Sequence, residues 1–214
     1  MAVSFSTLLT SLRRTLRDEN STTWTDNQLG ELVNQGIDAI GTVYPKEVID
    51  TVAYTQPIQG AVNSVTLSTV AWPIRIDVYD DSSLYVETVY PTLGYGANSG
   101  WEIHAGKVFL PPHYRFTSDT GTLRVFGYGA WTPITIGTSS STTDLDTRAQ
   151  YAVKVFVEAE ALTMLMYDRA QFQQWQVTAG NTDVTALGLN NLALAAQQRW
   201  RQEKARIRGF RKQG

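Results

Sequence analysis

The chain has 214 residues, 43% of them hydrophobic, with 18 basic and 20 acidic side chains and no cysteine. That length suits one large domain or two small ones and can bury a real core. A cysteine-free chain has no disulfide scaffold, no Cys-ligated zinc site and no thiol nucleophile. No apolar run of about 18 residues marks a membrane span, and the opening MAVSFSTLL lacks the pattern of a secretory signal.

Residues 4–17 read as a helix, because Phe5, Leu8, Leu9, Leu12 and Leu16 form one apolar stripe. Ser4 or Ser6 can cap it, and Arg13, Arg14 and Arg17 sit where the helix dipole favours cations. A second helix opens at Thr25-Asp26-Asn27-Gln28, which has the form of a capping box. Trp24 and Leu29 are placed for a hydrophobic staple, and Leu32, Val33, Ile37, Ile40 and Val43 continue the apolar face. Gly30, Gly36 and Gly41 weaken this helix and mark close approach of another backbone. Pro45 ends it.

From about residue 48 to 136 the apolar period changes to two. Val65 and Leu67, then Ile74, Ile76 and Val78, then Leu84 and Val86, then Trp101 and Ile103, then Val108 and Leu110, then Leu123 and Val125 alternate with more polar neighbours. Short strands separated by Gly, Pro, Asp and Ser clusters predict an antiparallel sandwich or small barrel. Residues 137–143, GTSSSTT, read as a linker. A third helix is expected from Asp144 or Asp146 to Gln176, and a last one over 182–212, opened by Thr182 and Asp183.

The predicted fold is α+β: a helical bundle of about four helices with an antiparallel β domain inserted between helices 2 and 3. The expected divisions are 1–47 and 144–198 for the helical domain, 48–136 for the β domain, 137–143 for the linker and 199–214 for a basic C-terminal arm. That arm holds seven of the chain's 18 basic residues and one of its 20 acids, which leaves eleven bases against nineteen acids elsewhere. An acidic body with a basic arm is a statement about partners.

No catalytic signature is present. His104 and His113, even with Asp119 nearby, match no His-x-x-x-His or His-x-His spacing and read as surface or loop residues. There is no Gly-x-Ser-x-Gly, and Ser82 and Ser83 beside Asp80 and Asp81 read as turn chemistry. Glu158 and Glu160 point to different faces of one helix, and Gly94-x-Gly96 lacks a following helix. The chain is therefore read as non-enzymatic, with no cofactor and no metal.

The arm has three readings: docking to an acidic or groove-bearing protein, contact with nucleic acid, and a solvated helix end. Docking leads, because Trp200, Ile207 and Phe210 interleave with Arg199, Arg201, Lys204, Arg206, Arg208, Arg211 and Lys212 as anchors among charge-assisted donors. Aromatic loops suit protein contacts, with Tyr95, Asn98, Trp101 and Trp131 as the candidate residues for an interface with another subunit or with a further partner.

Three features together resemble the head-to-tail adaptor (connector) proteins of tailed bacteriophages. They are the opening Trp24-Thr25-Asp26 helix with its terminal Tyr44-Pro45, the β region with Trp101-x-Ile103, Gly106-x-Val108-x-Leu110-Pro111 and Gly121-x-Leu123-x-Val125-x-Gly127-Tyr128, and the closing helix pair with its basic arm. The resemblance implies a structural virion protein at the head–tail interface, assembled in the host cytoplasm. It implies a homo-oligomeric ring, usually of twelve copies, that docks on the portal protein through the C-terminal arm. Such a ring extends the channel through which genomic DNA passes without sequence-specific binding, and offers the tail or the next connector an attachment site. Tyr95, Asn98, Trp101 and Trp131 are then the candidates for the subunit or tail interface. The alternative reading is a tail-associated carbohydrate- or receptor-binding module, with Trp72, Trp101 and Trp131 as stacking platforms.

Overall fold

The computed structural model describes residues 2–55, 64–91, 100–104, 107–110, 120–178 and 180–210. The side chains of His104, Gly209 and Phe210 are outside that description. In chain order the elements are β1 (Val3–Ser4), α1 (Phe5–Thr15), α2 (Asp26–Gly41), β2 (Lys46–Thr55), β3 (Ser64–Thr66), β4 (Trp72–Asp80), β5 (Tyr85–Val89), β6 (Glu102–His104), β7 (Lys107–Phe109), β8 (Thr120–Gly129), β9 (Thr142–Thr143), α3 (Thr147–Tyr167), α4 (Arg169–Thr178) and α5 (Ala186–Phe210). The protein is α+β, with antiparallel sheets, and the two larger sheets lie in a part of the chain separate from the helices.

Two compact units result. Residues 1–45 and 131–214 form one, and residues 46–130 form the other. The boundary at Trp131 lies earlier than the expected 136, because Trp131 and Ile134 are buried in the helical core.

In the helical unit, Ser4 caps α1 by accepting from Thr7 N. At α2 both halves of the capping box are present: Gln28 N donates to the Thr25 hydroxyl, and Thr25 N donates to Gln28 Oε1. Trp24 and Leu29 are both fully buried in the same core. α3 is the central helix. Ala149, Val153, Val155, Val157, Ala159, Leu162 and Leu165 bury more than one of its sides, as expected of a helix surrounded by others. Gly36 of α2 admits Phe156 and Val153 of α3: a β-carbon placed there would lie 3.0 Å from the Phe156 ring. The close approach expected at this glycine is therefore to side chains, not to backbone.

The expected single helix over 144–176 is two helices. Asp168 leaves the helical region (φ −109, ψ 97), ends α3 and accepts from Gln171 N to start α4. α4 lays Trp175 against α1, its Nε1 donating to the Leu16 carbonyl at 2.9 Å. Gly180 has the positive φ, +70, of a helix-ending residue. α5 opens at Thr185, whose hydroxyl accepts from Gly188 N, rather than at Thr182 and Asp183. The expected linker over 137–143 is tied down. Phe5 N donates to Ser141 O at 2.7 Å, and β1 pairs with β9.

The β unit contains a four-stranded antiparallel sheet in the order β2-β8-β4-β5 and a three-stranded one in the order β3-β7-β6. The inward positions Leu123, Val125, Ile76, Val78, Val65, Val108 and Trp101 fill one apolar core. Alternation along β8 explains which side they take.

Candidate functional site

The helix that carries the predicted arm is continuous from Ala186 to Phe210. One side of it is turned inward throughout. Leu189, Ala193, Ala196, Glu203 and Ile207 are buried and Trp200 is half-buried, at alternating spacings of four and three residues. That spacing keeps one seam against a neighbouring helix. The neighbour is α3, running antiparallel: Gln197 Nε2 donates to Thr163 Oγ1 at 3.0 Å, Arg199 Nη2 to Glu158 Oε1 at 2.6 Å, and Trp200 meets Phe156 edge-on at 5.2 Å.

This corrects the division at residue 199. Trp200 and Ile207 were expected to be docking anchors, but they belong to the helical core because they fall on the same side as Leu189 and Ala196. Ile207 has no exposed surface at all. The basic residues divide accordingly. Arg199 is held by Glu158, Arg206 by Glu203 at 3.0 Å, and Lys204 lies 5.8 Å from the Trp200 ring. Arg201 and Arg208 are exposed and have no ion-pair partner among the described residues. Phe210 ends the helix, its side chain outside the description, and Arg211 and Lys212 lie outside the described residues.

The aromatic interface candidates separate too. Tyr95 and Asn98 lie outside the described residues. Trp101 is buried in the β unit, 5% exposed, with Nε1 donating to the Val89 carbonyl at 3.0 Å. Trp131 is buried in the helical unit, with Nε1 donating to the Tyr44 carbonyl at 2.8 Å. A buried indole usually takes such a partner, although Trp24 Nε1 has none among the described residues, and the Trp101 and Trp131 rings are both spent on their own cores. Neither is a surface platform for a sugar or a subunit.

The exposed aromatic surface is elsewhere, on the open face of the four-stranded sheet. Trp72 is 57% exposed there. Arg75 lies 4.2 Å over the Phe126 ring, and Arg124 lies 4.3 Å over Tyr79. Beside them a groove of about 610 Å³ is lined by Lys46, Glu47, Ile49, Ile74, Phe126 and Tyr128, among others. The signal for this face was available in β2 and β8, where Glu47, Ile49, Phe126 and Tyr128 fall on the side opposite the core.

Two buried polar centres also escaped sequence reasoning. Asp50 is 4% exposed, and its carboxylate accepts from the backbone N–H groups of Ser68, Thr69 and Val70 and from the hydroxyls of Ser68 and Thr69. Burial pushes its pKa up, but the bonds from Thr69, Val70 and Ser68 outweigh it and hold the carboxyl well below its ordinary range. Asp18 plays the same part in the helical unit, accepting from the N–H groups of Thr22, Thr23 and Trp24. Both carboxylates fix turns.

Among the described residues no group of three or more His, Asp or Glu side chains is placed to hold a metal ion. No helix among them is long and apolar enough to cross a membrane. His104 ends β6, and His113 lies outside the described residues. No protein-family model matches this chain, and no curated protein matches it either.

Proposed function

We propose that this protein is a structural head-to-tail adaptor of a tailed bacteriophage. Copies of it assemble into a ring, of twelve by the resemblance, that continues the DNA channel below the portal and presents an attachment surface to the tail. The observation that carries the reading is the segregation of charge. α5 holds five bases and one acid, while α2 holds three acids and no base. An acidic body repeated around a channel repels phosphate and lets DNA pass without sticking. Arg211 and Lys212, which follow α5 in sequence, are the portal-docking end, beyond the last residue that the core requires.

The test is a chain ending at Arg208, which keeps the buried Ile207. It is expected to fold and to form rings but to lose binding to portal rings. Undiminished portal binding by that chain overturns the docking assignment. An image of the particle showing this protein away from the head–tail joint overturns the function.

A second reading is favoured by one observation, exposed Trp72 paired in the sheet with Tyr128, which lines the groove. Such a site suits a sugar ring in a carbohydrate- or receptor-binding module. Glycan binding that is lost in Trp72→Ala would establish it.

A further inference from the structure

The charges left over in α2 and α5 match each other. Of the three acids of α2, Asp26 is taken by Arg13. Glu31 and Asp38 remain, both exposed, without an ion-pair partner among the described residues. Of the five bases of α5, Arg199 and Arg206 are taken by Glu158 and Glu203, and Lys204 covers Trp200. Arg201 and Arg208 remain. Each helix is thus left with two like charges seven residues apart, a separation of about 10.5 Å along either axis. Seven residues are close to two full turns, so both members of each pair share a face.

These faces cannot meet within one copy. On α2 the buried residues Leu29, Val33, Gly36 and Ile40 occupy the side opposite Glu31 and Asp38. On α5 Arg201 and Arg208 each follow a seam residue, Trp200 or Ile207, by one position, about 100° around the helix, and both are exposed. Both stripes therefore turn away from the core of the same compact unit. Leu187 and Leu194 continue the α5 stripe at the same seven-residue interval, and both are exposed. An outward stripe of Leu, Leu, Arg and Arg is amphipathic in the wrong direction for a helix that has finished packing.

We infer that α5 of one copy lies along α2 of a second copy, with Arg201 and Arg208 paired to Glu31 and Asp38. The inference deepens the adaptor reading and rests on it only for the ring. Closed rings need two different, complementary surfaces on every copy, and these two helices supply them. Equal spacing of the charges sets the register of the contact. Exposed pairs of this kind contribute more to register and partner choice than to affinity.

The test is charge reversal in the full chain, followed by the mass of the assembly in low-salt buffer at high protein concentration. The wild-type chain is expected to self-associate. R201E/R208E, and separately E31K/D38K, are expected to weaken association by about tenfold or more, since like charges then face each other. The chain with all four changes is expected to regain it. Far-UV circular dichroism checks that each variant is folded, which is expected because all four side chains are exposed.

The contact is overturned by a wild-type chain that stays monomeric, by association that survives either reversal, or by a loss that the fourfold variant does not restore. Salt-sensitive DNA binding abolished by R201E/R208E, with self-association unchanged, overturns it in favour of nucleic acid. The two claims fail separately. A rescued assembly of only two copies keeps the contact and removes the ring, whereas a ring indifferent to the reversals keeps the ring and removes the contact.

Discussion

Arg13 donates from Nη1 to Oδ2 of Asp18 at 3.0 Å, and the Asp18 side chain is completely buried. The same guanidinium reaches the Trp24 carbonyl and Asp26. One buried ion pair thus joins the end of α1, the 18–24 turn and the start of α2. Breaking such a pair from one side costs about 3–5 kcal/mol, because the remaining charge stays buried and unpaired. Asp18→Ala is expected to fall in that range, as it also strips Thr22, Thr23 and Trp24 of their acceptor. Urea unfolding followed by helical circular dichroism measures it, and a loss under about 1 kcal/mol would show that the turn does not depend on the pair.

Ile207 and Arg208 are neighbours in sequence with opposite roles. Ile207→Ala removes a fully buried side chain and is expected to cost about 2–5 kcal/mol. Arg208→Ala is expected to change stability by no more than about 0.5 kcal/mol. A chain stopped at Ala196 loses Trp200 and Ile207 together, and is expected to lose the cooperative unfolding of the helical unit. Equal melting temperatures for Ile207→Ala and the wild type would mean that the end of α5 is detached in solution.

Acid acts on the β unit through Asp50. Its carboxyl sits below the ordinary value of 3.8, so the folded form holds its charge at a pH where the unfolded chain takes up a proton. The stabilisation is complete above about pH 5 and is progressively lost as pH falls through the ordinary value toward the depressed one. Asp50→Asn is expected to lower the stability of the β unit at neutral pH and to flatten this acid dependence. Denaturant midpoints at pH 7 and pH 3 for both chains provide the comparison. Parallel pH profiles would remove Asp50 from the account.

Gly36 and Gly41 lie in the same helix and should respond oppositely to alanine. A β-carbon at Gly36 meets Phe156 at 3.0 Å and Val153 at 3.3 Å, whereas one at Gly41 meets nothing within 4 Å. Alanine favours helix over glycine by up to about 1 kcal/mol. Gly41→Ala is expected to keep part of that gain. At Gly36 the gain is offset by displacement of Phe156, which also carries Trp200, and a net loss of about 1–3 kcal/mol is expected. Thermal melts of the two single variants decide it by sign alone.

Much of the local structure was legible, because its causes are local. Thr25 and Gln28 are three residues apart, and the capping box follows from that spacing. Alternation gave most of the strands for the same reason. The break at Asp168 was not legible: Met164, Leu165 and Met166 continue the apolar pattern, and one aspartate can end one helix and start the next without a glycine or proline. The 137–143 segment has a linker's composition, but Phe5, far away in sequence, binds it. At the candidate site, charge misled. Seven bases drew attention away from the three-residue series Trp200, Glu203 and Ile207, which continues the inward seam of Leu189, Ala193 and Ala196. Among the described bases of α5, Arg201 and Arg208 are the two with neither an ion pair nor an aromatic ring beside them.

The two places where the chain passes between its units are each closed on themselves. Lys46 and Gly129 face each other as the last pair of the β2–β8 ladder, so the β unit begins and ends about 5 Å apart. On the helical side Trp131 donates to the Tyr44 carbonyl. A short turn joining Pro45 to Trp131 would span that gap, and the helical core would be complete without residues 46–130. Residues 46–130 thus build their own core, and the helical core is drawn from residues on either side of them. Variation on the outer face of the four-stranded sheet changes none of the residues that build the helical core.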